Sequence, residues 1–212
     1  MIDLLTPLEP DRQDLRDGMV LLRRFAASPL LLPEIEAVCA ISPFRNLTTP
    51  GGRIMSVAMT CCGPLGWHSD ARGYRYVALD PLTGAPWPVM PAAFATLAAT
   101  AAAVAGFSGF RPDACLINRY EIGSRLSAHQ DRDEGNFKHP IVSVSIGLSA
   151  SFFVGLTDSR TGPSRTVVLD DGDVVCWGGP ARLAYHGIKP LKAGTHPLTG
   201  PRRFNLTFRR AG

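Results

Sequence analysis

The chain has no C-x-x-C pair, and no apolar run in it reaches the length that spans a bilayer. The first absence excludes the usual structural zinc site and a redox dithiol. The second excludes a helical membrane span. Charge of one sign never accumulates either: charged residues make up 19% of the 212 and the net charge is +4. With 45% hydrophobic residues, this is the composition of a globular chain and not of a disordered polyelectrolyte. The mild basic bias favours polyanionic partners without requiring one. Met1-Ile2-Asp3-Leu4-Leu5 lacks the basic-then-apolar pattern of a secretory signal, so a cytoplasmic protein with no membrane association is expected. The Cys count of five is odd, and Cys61 and Cys62 are adjacent. Free, buried thiols in a reducing compartment are the expectation.

The length fits one domain with a full core. Residues 1–18 read as an extended arm and Val20-Leu21-Leu22 as a short strand. A helix is expected from about Pro29 to Ala40, with Pro43 closing that neighbourhood. Residues 46–90 are rich in Gly, Pro and aromatics, the composition of a lid or recognition surface, with a hairpin strand over 53–60. Pro91 opens a helix over 92–105, which Gly106 ends. From Ala114 onward the pattern is β, with strands expected at 115–120, 141–147, 151–155, 165–169, 173–177, 182–186 and 202–210. Many short strands with regular turns indicate a sandwich or jelly roll.

Two separated segments carry the chemistry. In extended backbone residues i and i+2 face the same side, so His129 and Asp131 can address one metal ion. His186 can join them from a facing strand. Two imidazoles and one carboxylate form the facial triad of non-haem Fe(II), which leaves positions open for O2 and a co-substrate. The ordinary alternative is a pair of surface or core histidines, since H-x-D alone occurs by chance. The second segment is the strand 203–209. Arg203, Asn205, Thr207 and Arg209 share one face, and Phe204, Leu206 and Phe208 share the other. A polar face of this kind ordinarily meets water. Here it holds two arginines whose Cα atoms lie roughly 20 Å apart along the strand, and their long side chains could lean together to bracket a small dicarboxylate. Asn118 and Tyr120 offer a second wall, with Arg119 facing away.

These blocks, together with Ser42-Pro43-Phe44-Arg45, Thr49-Pro50-Gly51-Gly52, 55–60, 112–120, 129–134, 140–145 and Tyr185-His186-Gly187-Ile188, resemble the AlkB-type nucleic-acid demethylases along nearly the whole chain. The resemblance implies a mainly β fold with flanking helices. In it a double-stranded β-helix (jelly-roll) core over 91–212 lies under a nucleotide-recognition lid from 1–90. It implies Fe(II) on His129, Asp131 and His186. It implies 2-oxoglutarate on Asn118, Tyr120, Arg203, Asn205 and Arg209, with Arg209 and Asn205 at the iron-chelating end. Trp67 and Tyr74 would line the base pocket and Asp133 would face the damaged base. His129 would double as a stacking partner, and Arg160 would reach the substrate.

The implied reaction uses O2 to demethylate 1-methyladenine or 3-methylcytosine in single- or double-stranded DNA, or in RNA, by a monomer. Succinate, CO2 and formaldehyde leave. Two rivals remain at this point: a 2-oxoglutarate oxygenase acting on a protein or small molecule, and a cupin-like binding module. The chain departs from the family's pattern on the nucleotide side, at 67–72 and in the loop 157–164. Arg53, Arg72, Arg75, Arg125, Arg132 and Arg160 are candidate phosphate contacts.

Overall fold

The computed structural model describes residues 11–212, so positions 1–10 of the expected arm lie outside the described residues. From Arg12 the chain is in strands: β1 (Arg12–Arg16), β2 (Met19–Leu22), β3 (Arg45–Thr48) and β4 (Ile54–Cys62). A hairpin follows, β5 (Gly66–Asp70) and β6 (Gly73–Val77). The remainder is β7 (Ala114–Tyr120), β8 (Leu126–His129), β9 (Ile141–Gly147), β10 (Ala150–Val154), β11 (Arg165–Leu169), β12 (Val174–Trp177), β13 (His186–Ile188) and β14 (Arg203–Arg209). Two helices interrupt the series, α1 (Ser28–Ile41) and α2 (Ala92–Val104).

An eight-stranded sheet runs β1-β2-β12-β9-β14-β7-β4-β3, and a four-stranded sheet runs β11-β10-β13-β8. The two sheets face each other as a jelly roll, the arrangement expected of short antiparallel strands that must bury one face each. β5 and β6 form a separate two-stranded sheet.

Alternation along β14 explains the layering. Leu206 and Phe208 point into an apolar layer with Phe94, Ala98, Ala101 and Ala102 of α2 and Leu31, Ile35 and Val38 of α1. Small side chains let α2 lie close on the sheet, and Phe94 meets Phe208 edge-to-face at 6.0 Å. Truncating Phe208 to Ala there costs about 3–5 kcal/mol. Residues of the opposite parity face inward, between the sheets. Met19, Leu21, Ile141, Val175 and Trp177 pack there against Phe152, Val154, Leu169 and Ile188 of the smaller sheet. Asn118, Tyr120, Arg203, Asn205 and Arg209 line a cavity beside them.

Several expectations are corrected. No strand forms over 182–185: a 3-10 turn at Gly179–Ala181 runs on into turn and irregular chain there, and pairing begins only at His186. The sequence reading missed β3, β5, β6 and β8, none longer than five residues. His68 lies in β5. Cys61, Cys62, Cys115 and Cys176 are buried and free, whereas Cys39 is only half-buried. No helix among the described residues is long and apolar enough to cross a membrane.

Candidate active site

His129 ends β8 and His186 begins β13, and these two residues are paired across the smaller sheet. Register alone therefore brings the two imidazoles together, with ring centres 4.4 Å apart. Asp131 leaves the end of β8 and turns back between them. Its Oδ1 lies 3.7 Å from His129 Nε2 and its Oδ2 lies 3.8 Å from His186 Nε2. One ligand atom from each of the three residues falls within 4.8 Å of the others. Each imidazole is aimed by its own strand. His129 Nδ1 lies 2.8 Å from the Ser127 carbonyl and His186 Nδ1 lies 2.9 Å from the Ala184 carbonyl. A carbonyl only accepts, so Nδ1 carries the proton and donates, and Nε2 presents its lone pair to the centre.

Electrostatics favour ligand-ready forms. Burial alone would raise the Asp131 carboxyl, but Arg209 and the two imidazoles outweigh it and hold it well below the usual carboxylate range. Burial pushes His186 down to about 4, so its ring is neutral near pH 7. Trp177 packs edge-on against that ring at 5.0 Å. Two imidazoles and one carboxylate, with an open cavity beyond, suit Fe(II) better than a closed tetrahedral zinc set.

The polar face of β14 meets no bulk water. Arg203, Asn205, Thr207 and Arg209 are all buried, because β14 is flanked by β7 and β9 and roofed by the smaller sheet. Register sets Arg203 opposite Tyr120 and Asn205 opposite Asn118. Arg203 lies over the Tyr120 ring at 4.9 Å and donates through Nη2 to Ser145 Oγ at 2.9 Å. Its Nε and Nη1 have no partner among the described residues. A buried guanidinium with two unpaired donors is costly unless an anion completes it, and a carboxylate of a bound diacid matches those donors in geometry and charge. Arg209 sits at the other end, donating to Asp131 Oδ2 at 2.8 Å. The strand thus offers one guanidinium beside the metal ligands and one remote from them. Arg119 points to the other side, over Phe44, as its parity requires.

Three side chains that the sequence reading did not single out hold this centre together. Glu134 is buried and accepts from Tyr76 Oη at 2.8 Å and from Arg182 Nη2 at 3.0 Å, and it pairs with Arg209 at 3.2 Å. Arg182 also donates to the carbonyls of Asp131 and His139, at 2.6 and 3.1 Å. Gln130 Nε2 donates to the carbonyls of Thr157 and Leu183. Together they tie the 129–139 segment to the turn that delivers His186. Breaking one buried partnership of the Glu134 kind costs about 3–5 kcal/mol. A signal was present: Arg182 is a lone charge between Ala181 and Leu183, just after an apolar strand.

The cavity measures about 750 Å³ and reaches the β5–β6 hairpin. Trp67 stacks on Tyr74 at 5.6 Å and 14°, and Trp67 Nε1 donates to Asp133 Oδ2 at 2.7 Å. Arg53, Arg125, Arg132 and Arg160 also line the cavity. Arg72 and Arg75 do not; both are bound to Asp70. The expected residues therefore assemble around one space, except for these two arginines.

The chain matches the model of the 2OG-Fe(II) oxygenase superfamily over residues 18–209. It is 54% identical over 214 residues to the alpha-ketoglutarate-dependent dioxygenase AlkB of Salmonella typhimurium, covering 100% of this chain and 98% of that one. It is 54% identical over 215 residues to the enzyme of the same name from Escherichia coli (strain K12), covering 100% and 99%. The solved structure of OsALKBH1 superimposes with a TM-score of 0.82 at 30% identity, covering 94% of this chain and 99% of that one.

Proposed function

We propose a function for a chain that belongs to the 2OG-Fe(II) oxygenase superfamily and, within it, to the AlkB alpha-ketoglutarate-dependent dioxygenases: repair of alkylated nucleic acid by oxidative demethylation. Its substrates are N-methylated bases, with 1-methyladenine and 3-methylcytosine first among them. With Fe(II), 2-oxoglutarate and O2 bound, the chemistry supplied is oxidation of an N-methyl group, with succinate, CO2 and formaldehyde as products.

The residues divide the work. His129, Asp131 and His186 hold the iron through Nε2, a carboxylate oxygen and Nε2. Arg203, with Tyr120, receives the distal carboxylate of 2-oxoglutarate; Arg209, Asn205 and Asn118 face its other end. Arg209 also keeps Asp131 ionised, so one guanidinium serves both the metal ligand and the co-substrate. Trp67 and Tyr74 receive the base after it leaves the stack, and stacking offsets part of that cost. His129 closes the other side, and Asp133 lies where a cationic methylated ring would sit. Arg160 and its neighbours at the mouth meet phosphates. The lid centres on the β5–β6 hairpin above the 91–212 core. The protein works as a monomer in the cytoplasm, where its free thiols stay reduced, and takes single- or double-stranded DNA, with RNA as a further substrate.

One observation carries this reading: the His-Asp-His cluster, the unfilled guanidinium of Arg203 and the Trp67–Tyr74 stack open onto one cavity. An oxygenase for a small metabolite has no use for the third element. The deciding experiment incubates the iron-loaded protein with 2-oxoglutarate and oligonucleotides carrying one 1-methyladenine or 3-methylcytosine. Formaldehyde release matched to loss of the methyl mass is expected. Steady 2-oxoglutarate consumption with no change in any oligonucleotide would move the substrate to the protein or small-molecule class.

A further inference from the structure

The β5–β6 hairpin has two faces. Trp67, Ser69, Tyr74 and Tyr76 share one, by the register Trp67 opposite Tyr76 and Ser69 opposite Tyr74. His68, Asp70 and Arg75 share the other. The first face supplies the aromatic pair. On the second, Arg75 grips Asp70 with both nitrogens, Nη1 to Oδ1 at 2.8 Å and Nη2 to Oδ2 at 2.7 Å. This is a diagonal cross-strand pair, within reach of a long side chain and suited to holding the twist of a two-stranded ribbon.

Asp70 does more. Its Oδ1 accepts from the Arg72 backbone N–H at 2.8 Å, which closes the turn, and its Oδ2 accepts from Arg72 Nη2 at 3.2 Å. His68 Nε2 stands 3.5 Å from the same carboxylate. The hydrogen bonds from Arg75 are the largest of the influences that hold the Asp70 carboxyl well below its ordinary range. A two-stranded ribbon on its own is at best marginally stable in water. The body of the protein holds the inner face and the open end of this hairpin, through Ser69 to the Thr48 carbonyl at 2.7 Å, Trp67 to Asp133, Tyr76 to Glu134 and Trp87 to the Val77 carbonyl, whereas the turn end is held by the Asp70 cluster.

We propose that Asp70 and Arg75 are positioning residues for the substrate base: their bidentate pair clinches the hairpin so that Trp67 stands stacked on Tyr74 before any nucleic acid arrives. The pair touches neither base nor phosphate. It acts by removing the ordering cost that a loose ribbon would add to binding. It also takes two arginines out of the electrostatic footprint, which leaves phosphate contact to the arginines at the cavity mouth. This inference rests on the base-pocket reading above.

The test measures the KM for a methylated oligonucleotide, together with 2-oxoglutarate turnover without nucleic acid and acrylamide quenching of tryptophan fluorescence. Trp87 and Trp177 are buried, so quenching reports on Trp67. Arg75→Leu and Asp70→Asn should each raise KM by about fivefold, the scale of one well-formed partly exposed pair, and increase quenching. Turnover without nucleic acid and kcat at saturating oligonucleotide should stay within about twofold, since the metal and co-substrate residues are untouched. The opposite sign overturns the proposal. If Arg72 and Arg75 are phosphate contacts that Asp70 masks, Asp70→Asn frees them, tightens binding and steepens its salt dependence. Unchanged KM and quenching in both variants overturns it as well. Trp67→Ala separates the two layers: normal oligonucleotide KM there means that the base-pocket reading has failed, while a raised KM beside a normal Asp70→Asn means that only the clinch has.

Discussion

The metal and co-substrate centre and the β5–β6 hairpin are built on opposite plans. At the centre, functional side chains come from regular strands and their ends: His129 closes β8, His186 opens β13, and Arg203 and Arg209 bound β14. Most are buried, and their partners are long-range in sequence: Arg209 with Asp131, Glu134 with Arg182, Arg203 with Ser145. On the outer face of the hairpin the partners are local, Asp70 with Arg72 and Arg75, and Tyr74 is 46% exposed. A centre that must hold metal ligands to fractions of an ångström draws its stiffness from the whole jelly roll. A surface that must accept different nucleic-acid contexts draws it from within one ribbon, where a change of sequence leaves the chemistry alone. Departures from the family pattern at 67–72 and 157–164 fall on that second kind of structure.

The largest effect that would test this contrast is loss of a ligand. Asp131→Ala should abolish turnover and iron binding, read by metal titration, because one of three protein ligands goes and Arg209 loses its partner. Retained activity would remove the centre from the chemistry altogether. Next comes Arg203→Met. The 2-oxoglutarate KM should rise about tenfold to a hundredfold with the loss of a charge-assisted contact of about 1.5–3 kcal/mol. The ligand-free protein should melt no lower than the parent, because the guanidinium removed was buried with idle donors. A large drop in melting temperature would mean that Arg203 is a core residue and no carboxylate waits for it.

Trp67→Ala should weaken methylated-oligonucleotide binding by about 1–3 kcal/mol, one base–aromatic stack, while 2-oxoglutarate binding by calorimetry holds. Failure of both together would erase the distinction between the two regions. The smallest effect is at the mouth. Arg160→Ala should weaken binding of methylated and unmethylated strands alike and lower the salt slope by about one charge. An unaltered slope would take Arg160 off the phosphate track.

How legible each region was follows from the same contrast. The alternation over 203–209 could be read because both faces of β14 are committed, one to helices and one to the cavity. What it could not say is that the polar face is dry, since that depends on a second sheet far along the chain. His129, Asp131 and His186 were legible as residue types with a spacing. Their convergence was not, because it rests on β8 and β13, strands of four and three residues with no period to detect. The expected strand at 182–186 failed for that reason: its apolar residues serve a turn. Glu134, Arg182 and Gln130 were missed because their role lies entirely in which distant group each one meets. In the hairpin, Trp67 and Tyr74 were found through resemblance, but the capture of Arg72 and Arg75 by Asp70 required knowing which residues share a face.

The register of β14 has a consequence for how this gene can vary in length. Between Arg203 and Arg209 every residue is matched to β7 on one side, and nearly every one to β9 on the other. Inserting or deleting a single codon there would flip every residue on one side of the change, turning either Arg209 or Arg203 and Asn205 toward the helix layer and a phenylalanine toward the cavity, so one frame-preserving indel would damage both core and site. The loop between β10 and β11 has no such matching. Length changes should therefore accumulate between 157 and 164 and be purged from 203–209, and a codon-insertion scan would map the two regimes directly onto the sheet.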